Sequence, residues 1–211
     1  MPSAQRGSDG EVENTSFSKL LEALAYPSQH SPFLLCLPPE VAVSQLDEFR
    51  REKDAYFRLS PDSPLAPDQK RSFEGLRYFD EDPALTFEIP LERYPDPEAV
   101  QMQTTTGDVQ SYERYGRIRF DVNGQAASLT VYRNEYGYFL PFADSLAGSE
   151  TYAAGRYLEP EELPSGRLRV DFNLAYNPYC AYNQRWSCPI TPAENRLGVP
   201  IRAGERVFHT E

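Results

Sequence analysis

The stretch YERYGRIRFDVNGQAASLTVYRNEYGYFLPF, from Tyr112 to Phe142, decides the fold. Apolar and polar residues alternate along most of it, which is typical of half-buried β-strands. Asn123-Gly124 stands between two of these alternating runs, and this dipeptide favours the tight turn of an antiparallel hairpin because both residues tolerate a positive φ. The sequence therefore predicts a meander of three strands, at 112–122, 126–133 and 138–142.

Further strands are predicted on both sides of this meander. They fall at 86–91 and 100–105 before it and at 155–158 and 168–172 after it, with a last strand at 199–201 or 206–208. Many short antiparallel strands joined by tight turns predict a mainly-β fold, in which the meander closes into a barrel or curls into a sandwich.

One longer helix is predicted before the strands, over 44–59. Ser44 is a suitable N-cap, Asp47 and Glu48 follow in the first turn where the helix dipole favours anions, and apolar side chains recur at helical spacing. The stem of Lys53 crosses this apolar stripe. We expect the helix to pack on the β-structure within a single mainly-β domain, 44–211, with a shorter helical turn at 68–73.

The first 43 residues are expected to be an N-terminal extension outside this domain. The segment 1–13 is rich in Ser, Gly and charge and is predicted to be disordered, whereas 17–26 has the pattern of a short amphipathic helix. One hypothesis for the protein's role starts here. The extension and the 44–59 helix could together dock a partner, as a protein-interaction module.

Composition and charge narrow the possible partners. The chain has 211 residues, of which 40% are hydrophobic and 13% aromatic, which suits one domain with a substantial core. Its formal net charge of -11 argues against binding nucleic acid or an anionic membrane surface, because both repel an acidic protein. No apolar run is long enough to span a bilayer, and the first residues lack the pattern of a signal peptide. A cytoplasmic protein is expected.

Histidine is too scarce for several common chemistries. The chain has only His30 and His209, which excludes a paired-histidine zinc site and a Ser-His-Asp triad within the body of the fold. It contains neither a Walker-type phosphate loop nor a glycine-rich dinucleotide-binding motif. Proton transfer would therefore fall to Asp, Glu, Tyr or Cys. No metal site is predicted, and the sequence indicates no particular cofactor.

Two segments concentrate the side chains that bind ligands or perform chemistry. The first is 171–195, DFNLAYNPYCAYNQRWSCPITPAEN, whose prolines rule out a regular helix. The second is 144–159, DSLAGSETYAAGRYLE. We expect these segments to form the polar pocket of a small-molecule-binding β-barrel. The predicted ligand-binding residues are Asp144, Tyr152, Arg156, Asp171, Asn173, Tyr176, Asn177, Cys180, Glu194 and Asn195.

Arg156 suggests the character of the ligand. A guanidinium can bind a carboxylate through two parallel hydrogen bonds, so the expected ligand is small and polar or bears a carboxylate. A structural interpretation stays open beside this one. Arg156 would then pair with a carboxylate of the chain itself, such as Asp144, and the Asn and Asp side chains would satisfy backbone groups of irregular loops.

An enzymatic interpretation also stays open. The protein would be a hydrolase or isomerase with Glu194 or Asp171 as the base and Cys180 as a possible nucleophile. A nucleophilic cysteine usually has a nearby His or Lys to lower its pKa, and 171–195 offers only Arg185 as a cation. Cys180 and Cys188 could be thiols or a disulfide, and a reducing compartment favours thiols.

Six segments also resemble a known family. They are FRREKDAYF (49–57), SPL (63–65), FEGLRYFDED (73–82), FADSLAGSETYAAGRYLE (142–159), DFNLAYNPYCAYN (171–183) and CPITPAENRLGVPIRAGE (188–205). They are similar to segments of the bacterial and archaeal proteins grouped as domain of unknown function 1684. The resemblance covers the chain from about residue 44 onward. It implies a shared conserved domain, but it implies no activity and no catalytic residue.

Overall fold

The structure is a computed structural model in which residues 44–208 are described. The predicted 17–26 helix lies outside these residues, as do both histidines and the third cysteine, Cys36.

Two α-helices begin the described chain, α1 at Gln45–Leu59 and α2 at Pro67–Ser72. As predicted, Ser44 caps α1, and its hydroxyl accepts a hydrogen bond from the backbone N–H of Asp47 at 3.0 Å. Phe57 anchors the helix in an apolar cluster that includes Tyr182, from a segment late in the chain. Neither of the two described helices is long and apolar enough to cross a membrane.

Eight strands follow within residues 44–208, and they form two antiparallel sheets. The first sheet has five strands in the order β2-β3-β4-β5-β6, and the second has three in the order β1-β8-β7. The prediction of a mainly-β, antiparallel fold with a helix before the strands is therefore confirmed. The strands are β1 Thr86–Pro90, β2 Glu92–Gln103, β3 Val109–Val122, β4 Gln125–Asn134, β5 Gly137–Phe142, β6 Arg156–Leu158, β7 Glu161–Glu162 and β8 Arg167–Asp171.

The hairpin between β3 and β4 has the predicted tight turn. Asn123 and Gly124 have φ of 53° and 80°, and the strands pair immediately outside them, Val122 opposite Gln125. Two successive positive φ values are the signature of the turn whose twist matches that of the flanking strands. Asn123 is the only non-glycine residue between 44 and 208 with a positive φ.

Three features differ from the sequence-based expectation. Neither sheet closes on itself within residues 44–208, so of the two predicted alternatives the barrel is not observed, and the described fold contains two open sheets. Strand β2 begins eight residues earlier than predicted, because a register break between Arg93 and Glu98 accommodates two prolines that a regular ladder would exclude. The last predicted strand, at 199–201 or 206–208, is absent.

Both sheets contribute to one hydrophobic core. The inward side chains of the five-stranded sheet meet those of β8 and of the irregular segment that follows it. Aromatic side chains join the layers, since the ring of Phe172 lies 5.3 Å from that of Phe120 and 5.2 Å from that of Phe142, centroid to centroid. Core residues with no exposed surface include Ile118, Leu140, Phe142, Leu168, Val170, Phe172 and Ile201.

Candidate functional site

Arg156, at the start of β6, is almost completely buried and binds the chain itself. Its Nη2 donates to Asp144 Oδ2 at 2.7 Å and to the carbonyl of Ile201 at 2.8 Å. Its Nη1 donates to the carbonyls of Ala203 at 2.5 Å and Glu205 at 2.9 Å. The Ile201 carbonyl lies in one of the two positions predicted for the last strand, and the other two carbonyls follow it. The guanidinium and separate backbone bonds, such as those from the Glu205 N–H to Ala175 and from the Arg206 N–H to Arg77, hold this segment in place of a regular strand partner.

Asp171 and Asn173 close the turn at the end of β8. Asp171 Oδ1 accepts hydrogen bonds from the Thr86 hydroxyl at 3.0 Å and from the backbone N–H of Asn173 at 3.0 Å. The Asn173 amide pairs with the backbone of Asp82, accepting from its N–H at 2.8 Å and donating to its carbonyl at 3.0 Å. Both side chains thus join β8 to the segment that leads into β1.

Asn195 links two strands of the larger sheet. Its side chain is fully buried, accepts from the backbone N–H of Thr130 at 2.8 Å, and donates to the carbonyls of Thr130 at 2.8 Å and Pro141 at 2.7 Å. One amide therefore bridges Thr130 of β4 and Pro141 of β5. Asn195 has no donor left for a ligand.

Glu194 faces a different surface and is a weak base. Its Oε1 accepts from the Tyr132 hydroxyl at 2.8 Å and lies 3.1 Å from Arg114 Nη2. Partial burial would raise the pKa of Glu194, but hydrogen bonds from its own backbone N–H and from Tyr132, together with the charge of Arg114, outweigh burial and lower it. A carboxylate held in its ionised form this way takes up a proton poorly.

A buried ion pair that sequence reasoning did not find lies under helix α1. Lys53 Nζ contacts Glu205 Oε1, and both side chains are 2% exposed. Glu205 Oε2 also accepts from the backbone N–H of Asn177 at 2.9 Å and from the Tyr182 hydroxyl at 2.5 Å. A lysine within the apolar stripe of a helix was the available signal, because a buried lysine is almost always paired.

The same pair reaches Tyr176 and Glu159. The Lys53 ammonium lies 4.9 Å from the centroid of the Tyr176 ring, and the Tyr176 hydroxyl donates to Glu159 Oε1 at 3.0 Å. Burial, and then the charge and hydrogen bond of Glu159, raise the pKa of Tyr176 well above its ordinary value. Two of the predicted ligand-binding residues, Tyr176 and Asn177, are thus part of this charged network.

Cys180 and Cys188 form a second buried pair, and both are free thiols. Cys180 lies in a short 3-10 turn, Tyr179–Ala181, and its backbone N–H donates to Cys188 Sγ at 3.2 Å. The Cys180 sulfur lies 3.9 Å from the Tyr152 hydroxyl. Tyr152 comes from 144–159 and both cysteines from 171–195, so the two segments predicted to form a pocket meet at this pair.

The two thiols differ strongly in acidity. A hydrogen bond from Cys188 lowers the pKa of Cys180 to about 7, against the opposing effect of burial, and the hydroxyls of Tyr152 and Thr105 contribute in the same direction. The same hydrogen bond, together with burial and the charge of Cys180, raises the pKa of Cys188. Of the two thiols, Cys180 is therefore the one that ionises first as the pH rises through neutrality.

The titratable groups around the thiol pair are tyrosines. Burial is the main cause that raises the pKa of Tyr112 and of Tyr152 to about 12, and it raises that of Tyr157 well above its ordinary value. All three hydroxyls therefore stay protonated at neutral pH. Tyr157 donates to the Pro189 carbonyl and Tyr112 to Gln110, so of the three only Tyr152 directs its hydroxyl at a sulfur.

The ten predicted residues thus occupy five places. Tyr152 and Cys180 meet at the thiol pair, and Tyr176 and Asn177 lie in the network of Lys53 and Glu205. Asp144 pairs with Arg156, which binds the segment that contains Glu205. Asp171 with Asn173, and Glu194 with Asn195, have other hydrogen-bond partners. Between residues 44 and 208, no group of three or more His, Cys, Asp or Glu side chains could hold a metal ion.

Comparison with known protein families identifies a match for most of the chain. Residues 71–206 match the family model described as Protein of unknown function (DUF1684). The chain belongs to this family. The DUF1684 match includes Cys180, Cys188 and Glu205, whereas Lys53 precedes it.

A solved structure is similar to the chain. The solution NMR structure of an uncharacterised protein from Haloarcula marismortui has a TM-score of 0.60 and 37% sequence identity to the chain, and the match covers 77% of this chain and 92% of the other. No curated protein matches the chain.

Proposed function

We propose that the protein is a thiol-dependent enzyme in which Cys180 is the nucleophile and the segments 144–159 and 171–195 line the substrate site. The observation that supports this most directly is the hydrogen-bonded arrangement of Cys188, Cys180 and Tyr152. A thiolate is the reactive form of cysteine, and here a second thiol and hydroxyl groups stabilise it in place of the usual histidine.

This proposal fits the contacts better than simple binding of a carboxylate does. The terminal N–H groups of Arg156 are occupied by Asp144 and by three backbone carbonyls, so they are not available for a ligand. Glu194 and Asp171 are bound by other parts of the fold, which leaves Cys180 as the reactive group among the three catalytic candidates.

The position of the thiols favours a small substrate. Cys180 is 7% exposed and Cys188 is 6% exposed. Of the hydroxyl-bearing side chains next to Cys180, Tyr152 is half-buried and Thr105 is exposed. The small exposed fractions of the two thiols favour a small electrophile over a large one. A cytoplasmic location belongs to the same proposal, because a reducing compartment keeps both cysteines as thiols.

Alkylation by iodoacetamide across pH tests the proposal, in a Cys36→Ser background that leaves only the pair. Cys180 is expected to react in the native protein with a half-maximal rate near pH 7, the pKa of about 7 given above, while Cys188 stays unmodified. Cys188→Ala should move that midpoint upward, toward about 8.5 for an ordinary cysteine, because the side chain that donates to Cys180 is then gone.

Peptide mapping by mass spectrometry identifies the alkylated residue, and Cys180→Ser is the matched control that should abolish native-state labelling. The proposal fails if Cys180 reacts no faster at neutral pH than free cysteine does, or reacts only after denaturation.

A further inference from the structure

We propose that Cys180 and Cys188 act together as a dithiol that reduces small disulfide substrates. This inference rests on the proposed function, since it assigns a substrate class to the same nucleophile. It also gives Cys188 a catalytic role of its own, because the second thiol would touch the reacting sulfur atoms.

The groups around the thiols decide between a carbon and a sulfur electrophile. If Cys180 attacked a carbonyl carbon, release of the acyl group would need a base to activate water. The groups that contact Cys180 are the Cys188 thiol and the hydroxyls of Tyr152 and Thr105, and none of them is a base at neutral pH.

A sulfur electrophile removes the need for a base that activates water. A mixed disulfide is resolved by a second thiol, and the Cys188 sulfur already accepts a hydrogen bond from the Cys180 backbone N–H at 3.2 Å. The site therefore contains the group that completes thiol–disulfide exchange, whereas it lacks the group that completes hydrolysis.

The reaction would proceed in two balanced steps. In the first, the Cys180 thiolate attacks one sulfur of a disulfide RSSR, the S–S bond breaks, and one RS⁻ leaves and takes up a proton. In the second, Cys188 loses its proton and attacks the Cys180 sulfur, which releases the second RS⁻, again protonated to RSH. The substrate gains two electrons and two protons, and the protein gains a Cys180–Cys188 disulfide. An external dithiol returns the protein to its reduced form.

The local geometry supports the second step. The backbone N–H of Cys180 donates to Cys188 Sγ at 3.2 Å, and the N–H of Tyr179 also contributes a hydrogen bond to this sulfur. Backbone donors stabilise a thiolate as it forms. The negative charge on Cys180, which keeps Cys188 protonated in the resting pair, disappears when the mixed disulfide forms. Cys188 therefore becomes more acidic at the moment when it must react.

The inference is tested with hydroxyethyl disulfide, a small neutral probe, in the Cys36→Ser background. The intact pair should release two equivalents of mercaptoethanol and lose two hydrogens in mass without retaining an adduct. Cys188→Ser should release one equivalent and accumulate a mixed disulfide on Cys180. Cys180→Ser should release no thiol. Thermal unfolding of each variant shows whether it is folded before its reactivity is compared.

Failure of this inference can be separated from failure of the proposed function. If iodoacetamide labels Cys180 selectively but the intact pair keeps the mixed disulfide, the dithiol reaction is wrong and the thiol nucleophile stands. If Cys180 resists both reagents in the folded protein, both proposals are wrong. An internal disulfide that forms only in denatured protein would also overturn the dithiol inference.

Discussion

Lys53 in helix α1 and Glu205 near the end of the described chain form an ion pair with both side chains 2% exposed. Placing two charges in a protein interior is costly, and the cost is recovered only where further hydrogen bonds satisfy them. Asn177 and Tyr182 supply those bonds to the Glu205 carboxylate. Helix α1 is therefore attached to the β-structure by a charged contact as well as by the apolar contact of Phe57.

Removing one member of this pair should destabilise the protein strongly. Lys53→Met leaves the Glu205 carboxylate buried without its cation, and we expect a loss of about 3–5 kcal/mol in the free energy of unfolding. Denaturant titration followed by circular dichroism measures it. Adding Glu205→Gln to Lys53→Met should recover part of the loss, because the uncompensated charge is then gone.

The matched control is Arg119→Ala, which removes the exposed ion pair with Glu92 and should cost less than about 1 kcal/mol. Equal losses for Lys53→Met and Arg119→Ala would contradict the view that burial makes the first pair structurally important.

Replacing Arg156 by lysine should destabilise the protein, although the positive charge is kept. An ammonium cannot serve Asp144 and three carbonyls in the planar arrangement that the guanidinium adopts. Each buried carbonyl left unsatisfied costs about 1–3 kcal/mol, so we expect a loss of at least about 3 kcal/mol for Arg156→Lys in denaturant titrations. A loss below that of Arg119→Ala would show that the carbonyls find other partners.

Two glycines with positive φ should differ in their tolerance of alanine. A Cβ at Gly155, where φ is 101°, would lie 2.6 Å from the carbonyl oxygen of Phe142 and would also overlap the Thr191 hydroxyl. At Gly124, where φ is 80°, it would meet no atom within 4 Å. We expect Gly124→Ala to cost about 1–2 kcal/mol from the backbone alone and Gly155→Ala about 2–5 kcal/mol. Similar shifts of the two thermal unfolding midpoints would contradict this.

Removing the Tyr152 hydroxyl should change the pH dependence of Cys180. The hydroxyl is one of the groups that lower the pKa of Cys180 to about 7, so Tyr152→Phe should move the midpoint of iodoacetamide labelling to higher pH. The labelling rate then falls at neutral pH, where less thiolate remains, and converges with that of the original protein well above the ordinary thiol pKa of about 8.5.

Tyr138→Phe is the control for this experiment, because the Tyr138 hydroxyl donates to Glu162. Its labelling profile should not change. An unchanged midpoint for Tyr152→Phe would mean that the tyrosine only packs against the sulfur.

The parts of the fold that follow from local signals could be predicted from the sequence. The cap at Ser44, the Asn123-Gly124 turn and the alternation in β3 and β4 each depend on residues close in the chain. The last predicted strand and closure of the sheet depend on distant contacts. The segment that contains Ile201 shows the reason, because its carbonyls bind a side chain from β6, and no periodicity records that.

In the candidate site, too, local features could be predicted from the sequence and distant contacts could not. The sequence identified the two segments that meet at Cys180 and Tyr152 from their composition. From the sequence, the lack of a nearby cation argued against Cys180 as a nucleophile. The hydrogen bond from Cys188 that lowers its pKa depends on three-dimensional placement, so the sequence could not indicate it. The pairing of Lys53 with Glu205 was not predicted, because it joins residues at opposite ends of the described chain.

The segment from Ile201 to Glu205 also has a consequence for synthesis of the protein. It neutralises Lys53 with its carboxylate and satisfies Arg156 with its carbonyls, so both earlier cations lack these partners until it has emerged from the ribosome. Domains generally fold as units once their chain is available, and this one would reach its stable form only after residue 205 is free. A ribosome-bound nascent chain stalled before Ile201 emerges should therefore remain sensitive to protease, whereas one with Glu205 exposed should become resistant.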